Sequence, residues 1–74
     1  MYYRLRYLRD EQNLSQSRLA AMLNMSQTGY SKYETGENDI PTAILIKLAE
    51  IYGTSIDYIL ERTDIRDAYP PKRK

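Results

Sequence analysis

Residues 14–36 read LSQSRLAAMLNMSQTGYSKYETG, and the order of caps, apolar stripes and breaks within them decides the fold. Ser15 can cap a helix in which Leu19, Ala20 and Leu23 form one apolar stripe. Asn24 and Met25 interrupt that stripe, and Asn is one of the few residues that enter the left-handed region readily. Ser26 is the next N-cap; its helix runs through Thr35, and Gly36 stops it. Two short helices are thus joined by a turn of about three residues. Ala20 is small where such a pair must cross closely, while Tyr30 and Tyr33 anchor the second helix from one face. Gln27, Thr28, Ser31 and Lys32 are left on the other face. They offer the donors and acceptors suited to base edges and phosphates. A merely solvated helix would more usually carry Glu/Lys pairs.

Outward from this pair the apolar residues keep helical spacing, and no alternating strand pattern survives. The first helix is expected over roughly residues 2–12, with Leu5 and Leu8 inward. Pro41 stands where a first-turn proline belongs, opening a helix with Ile44, Leu45, Leu48, Ala49 and Tyr52 on one side. Gly53 ends it and Ser55 caps a fifth helix, with Ile56, Ile59 and Leu60 inward. The chain reads as all-α, with one domain over residues 1–63. Residues 64–74, ending Tyr69-Pro70-Pro71-Lys72-Arg73-Lys74, read as a basic, disordered tail.

With 74 residues there is room for one small domain and not for a sensor domain beside it. The chain has no Cys and no His, which leaves thiolate chemistry, the familiar zinc sites and His-based triads without their usual groups. Acid–base work would fall to carboxylates, and Glu34, Glu37 and Asp39 read better as an ion-pair member and a solvated loop. No enzyme activity, metal or cofactor is expected. No apolar run of ~18 residues and no signal-peptide-like start are present, so a cytoplasmic protein is expected without a membrane partner. Residues 1–63 hold seven Lys/Arg and eight Asp/Glu, and residues 64–74 hold four and two. The body is therefore not basic, and charge alone argues for no partner. A core this small, without disulfides, is marginally stable, which favours a dimer or other partner.

Three linked segments, LRDEQNLSQSRLA (8–20), MSQTGYSKYETGEN (25–38) and ILIKLAEIYGTSIDYIL (44–60), carry a family resemblance. From about Leu5 to Leu60 the chain is similar to the Cro/CI-type, or XRE-type, helix-turn-helix family of phage-repressor-like DNA-binding domains. The resemblance implies a five-helix, lambda-repressor-like DNA-binding domain and the role of a minimal transcriptional regulator, a repressor, on double-stranded DNA. It places Gln27, Thr28, Ser31 and Lys32 on base edges in the major groove. Gln16, Ser15, Ser26 and Arg18 would meet phosphates or the groove edge, helped by backbone amides at the helix starts; because the body is not basic, Arg4, Arg6 and the tail are the further cations that charge accounting leaves to add to them. Arg9 and Glu34 match an ion pair between the first and third helices. Ile40, Pro41, Ile56 and Tyr58 match a homodimer surface, and such dimers read palindromic operators with half-sites ~34 Å apart. Two other roles fit the same pattern: an antitoxin-like regulator that also binds a toxin protein, and a protein-interaction module without DNA contact. Asn24 stands where the family turn usually has Gly, and Gly29 lies inside the recognition helix. The loop 36–40 carries two acids where several relatives carry bases.

Overall fold

The five helices of the described residues stop the same way, on a residue with positive φ: Asn13 (57°), Asn24 (58°), Gly36 (81°), Gly53 (62°) and Glu61 (61°). A computed structural model describes residues 2–68 and gives the all-α architecture expected. The elements are α1 (Tyr3–Glu11), α2 (Gln16–Met22), α3 (Gln27–Thr35), α4 (Thr42–Tyr52) and α5 (Ile56–Ile59). At four of the ends the next amide reaches back over the last turn. Leu14 N–H donates to the Arg9 carbonyl at 3.1 Å, Met25 to Ala20 at 2.9 Å, Thr54 to Ala49 at 3.0 Å and Arg62 to Asp57 at 2.8 Å. These bonds satisfy carbonyls that a helix end leaves open and turn the chain sharply into the next element.

The helix starts are set by serines. Ser15, Ser26 and Ser55 accept the backbone N–H of Arg18, Gly29 and Tyr58 at 3.1, 3.1 and 3.0 Å. Pro41 differs from its expected place. Its ψ of 148° is extended, so it is the N-cap and Thr42 is the first helical residue. Losing the proline N–H costs nothing there, because that donor would have no partner inside the helix.

Leu5 and Leu8 of α1, Leu19 of α2, Tyr30 of α3, Leu48 of α4 and Ile59 of α5 are each wholly buried, so every helix contributes to one core. Full burial of side chains this size contributes about 1.5–3 kcal/mol apiece. Ile56 and Leu60 were expected inward with Ile59 but are only partly covered. An element of four residues has a single inward position, and Ile59 takes it.

Asp64 and Arg66 are tied back to the helices. The Arg4 guanidinium donates to the carbonyls of Tyr58 and Thr63 and to Asp64, and lies 4.1 Å from the centre of the Tyr58 ring. Arg66 pairs with Glu11 at the end of α1, and its carbonyl accepts from the Thr54 hydroxyl. These bonds tie residues 63, 64 and 66 back to α1 and to Thr54. The tail motif at Tyr69–Lys74 falls outside the described residues.

One core atom is out of balance. The Tyr52 hydroxyl is buried and has no hydrogen-bond partner among the described residues. Burying an unsatisfied hydroxyl costs about 1–3 kcal/mol. Tyr52→Phe is therefore expected to hold or raise stability, by up to about 1 kcal/mol, in urea unfolding followed by circular dichroism. A loss of more than ~1 kcal/mol would show that the hydroxyl has a partner in solution.

Candidate nucleic-acid interface

Ala20 is 1% exposed and Tyr30 is wholly buried, so α2 and α3 pack closely with their apolar faces together. Tyr30 and Tyr33 meet edge to face, with ring centres 6.3 Å apart. That packing turns the opposite side of α3 outward. Gln27, Thr28 and Lys32 are exposed, Ser31 is half-buried, and together with Gln16, Thr35 and Glu37 they line one shallow recess. Its only ion pair among the described residues is Lys32 Nζ to Glu37 Oε2, 3.7 Å apart and well exposed on both sides. Such a pair is worth less than about 1 kcal/mol and yields readily to a stronger anion.

The hydroxyls of Ser15 and Ser26 act as caps, each accepting from its own helix. Arg18 is exposed beside Ser15 and Ser17, and makes no ion pair among the described residues. A phosphate there would find an exposed guanidinium beside a helix start. Two further basic candidates are differently placed. Arg4 is held by the carbonyls and carboxylate described above; Arg6 is exposed and lies 3.6 Å from Asp10.

Beneath the recess sits a buried polar cluster. Arg9 donates from Nε to Glu34 Oε2 at 2.7 Å, from Nη2 to Oε1 at 3.2 Å, and from Nη1 to the Leu14 carbonyl at 2.8 Å. The Tyr30 hydroxyl donates to Glu34 Oε2 at 2.6 Å, and Gln16 Nε2 donates to Oε1 at 3.1 Å. The Glu34 side chain is 6% exposed and that of Arg9 is 12%. Burial alone would raise the Glu34 carboxyl, but the bonds from Arg9, Tyr30 and Gln16 outweigh it and hold the group below its usual range. Burial, with Glu34 beside it, pushes the Tyr30 phenol well up. The family resemblance pairs Arg9 with Glu34 and leaves Tyr30 and Gln16 out of the cluster. A tyrosine four residues before a glutamate on one helix face is the signal that was there to find.

The four residues considered for a dimer surface fare unequally. Ile40 is 8% exposed and belongs to the chain's own core, where it closes the loop before α4. Tyr58 is half-buried under Arg4, whereas Pro41 is exposed. Ile56 is half-buried and borders an apolar groove with Ile46, Ala49 and Gly53. No helix of the described residues is long and apolar enough to cross a membrane, and no acidic cluster among them could hold a metal ion.

Two Bacillus subtilis proteins are each 38% identical to the chain. They are the SPbeta prophage-derived uncharacterized HTH-type transcriptional regulator YonR, over 60 residues, and the uncharacterized HTH-type transcriptional regulator YobD, over 64 residues. The alignments cover 81% and 86% of this chain but 56% and 57% of those proteins. The HTH-type transcriptional regulator ImmR of the same organism is 32% identical over 62 residues, 84% of this chain and 49% of its own. The chain therefore spans about half the length of these relatives. No solved structure matches it. The helix-turn-helix family profile matches residues 5–59, from the first core leucine of α1 to the last core residue of α5, and the chain belongs to that family, in its Cro/CI (XRE) branch.

Proposed function

We propose that this chain binds double-stranded DNA in a sequence-specific way and acts as a transcriptional repressor, with α3 in the major groove. The observation that carries the reading is the sidedness of α3. Its tyrosines lock one face to the core, and the other offers Gln27, Thr28 and Lys32 exposed together. Gln pairs with adenine N6 and N7, and Lys reaches guanine O6 or N7. Ser31 lies at the edge of this set. The starts of α2 and α3, with Ser15, Ser26, Arg18 and Gln16, set the register against phosphates. The names of the relatives, all HTH-type transcriptional regulators, support this reading.

One unit reads a few base pairs, so a homodimer on a palindromic operator is the working form. With Ile40 inside the core, the apolar groove edged by Ile46 and Ile56 is the better-placed surface for that contact. The body carries no basic excess, so its few phosphate contacts give weak non-specific binding.

The test is selection of bound sequences from random double-stranded DNA at ~100 mM salt, with Lys32→Ala alongside. A two-fold motif is expected, and Lys32→Ala is expected to relax one guanine position in each half-site by roughly 1–3 kcal/mol. No enriched motif from the folded protein would favour the protein-interaction role instead.

A further inference from the structure

We propose that Glu37 is a specificity-determining residue. With Lys32 it reads one G·C pair, accepting from the cytosine amino group beside the guanine that Lys32 meets. The inference rests on the DNA-binding reading above and on the place of Lys32 in it.

The loop 36–40 carries two acids, and the fold treats them differently. Asp39 accepts from the Tyr2 hydroxyl at 3.3 Å and does not line the recess on α3. Glu37 does line it. The backbone is fixed there. Gly36 turns through the left-handed region, the Asn38 N–H donates to the Lys32 carbonyl at 3.1 Å, and the Glu37 N–H donates to the Thr35 hydroxyl at 3.4 Å. The loop is thus folded back on the last turn of α3, with Glu37 Oε2 3.7 Å from Lys32 Nζ.

Charge separates the groups this pair can meet from those it cannot. Lys32 and Glu37 are the only charged residues lining the recess among the described residues, so its lining is neutral as a whole. A phosphate drawn to Lys32 would bring its charge against the Glu37 carboxylate, which only accepts and would gain no bond from it. A base edge is neutral and sets donors beside acceptors. In the major groove a G·C pair shows two acceptors, guanine N7 and O6, and then the cytosine N4 donor. An ammonium beside a carboxylate is the complement of that order. An A·T pair shows the N7 acceptor, the N6 donor and then thymine O4, another acceptor. There Glu37 on N6 would face O4, and Lys32 would have one acceptor instead of two. The pair therefore favours base over phosphate, and G·C over A·T.

The test is the random-DNA selection with titrations on the full chain, using Glu37→Ala and Lys32→Ala singly and together. Glu37 is largely exposed, so its substitution leaves the core intact. Glu37→Ala is expected to keep the rest of the motif but admit A·T at the pair that Lys32→Ala relaxes, with discrimination there falling about tenfold. Affinity for an unrelated duplex should rise about threefold, because Lys32 is freed for phosphate. In the Lys32→Ala background, Glu37→Ala should change that base pair less than it does alone. A gain in affinity that is equal for all sequences, with the motif unchanged, overturns the proposal, since Glu37 would then only repel phosphate. A change at some other base pair overturns it too, as does no effect of Glu37→Ala at all. Each of these results leaves the DNA-binding reading standing. Absence of any motif from the unaltered protein overturns that reading and this proposal with it.

Discussion

Alanine in place of Arg9 is expected to cost this domain about 3–5 kcal/mol, which leaves little of its stability. The reason lies in what stays behind. The Glu34 carboxylate, 6% exposed, would retain the Tyr30 hydroxyl and the Gln16 amide but no positive charge. The Leu14 carbonyl would lose the donor that Arg9 Nη1 supplies at 2.8 Å. Removing one partner of a buried pair costs far more than the pair contributes over a well-packed apolar replacement, because the orphaned charge remains in the core. A single core of this size supplies only ~3–5 kcal/mol in total. The thermal midpoint should fall by more than about 12 °C, at ~4–8 °C per kcal/mol for a domain of this size. Removing both charges, as in Arg9→Met with Glu34→Met, should cost clearly less than the two single changes added together. A midpoint shift of a few degrees for Arg9→Ala would show the cluster to be solvated and the account wrong.

The same cluster sets a direction for pH. The Glu34 carboxyl is held below its ordinary value of 4.5 in the folded state, since the bonds from Arg9, Tyr30 and Gln16 outweigh burial. A depressed carboxyl binds its proton more readily when unfolded. Its contribution is thus complete above about pH 4.5 and declines as pH falls through the folded-state value. Acid unfolding of the unaltered protein should therefore steepen below that point.

How much of this was legible in the sequence depends on the range of the interaction. Ser15, Ser26 and Ser55 cap helices through a bond to an amide three residues on, so the residue and its neighbours suffice. Asn24, Gly36 and Gly53 mark stops for an equally local reason, the cost of a left-handed backbone. Glu61 takes the same conformation and gives no warning. Acids do not signal a helix stop; the closing bond from Arg62 to the Asp57 carbonyl holds it there. Long-range features were harder still. Arg4 looks like a free basic residue until residues 58–64 fold back across it, 54 to 60 positions away. Ile40 is apolar in a polar loop, which suits a core residue and a dimer contact alike. Only its 8% exposure separates them. The face of α3 was readable because two tyrosines three residues apart fix which side turns in. The bond from Gln16 to Glu34 was not, because that partner lies 18 residues on and on another helix.

The largest effect on binding is expected from Gln27→Ala. Gln27 is the first residue of α3 and exposed, and in the proposed docking this end of the helix enters the groove first. Its amide is free to pair with adenine N6 and N7, a contact worth roughly 1–3 kcal/mol of discrimination. On a palindromic site each protomer loses that contact, so the cost counts twice, roughly 2–6 kcal/mol, or about 30-fold to more than 10,000-fold in affinity. The doubling makes the measurement informative beyond the residue itself. Titrations on the full operator and on a single half-site should give losses related as a square, provided two copies bind with two-fold symmetry. Equal losses on both would mean that one copy reads the site and that the apolar groove by Ile46 and Ile56 has another use. A Gln27→Ala loss spread evenly over all sequences would mean that α3 meets backbone alone, since base contacts specify and phosphate contacts only position.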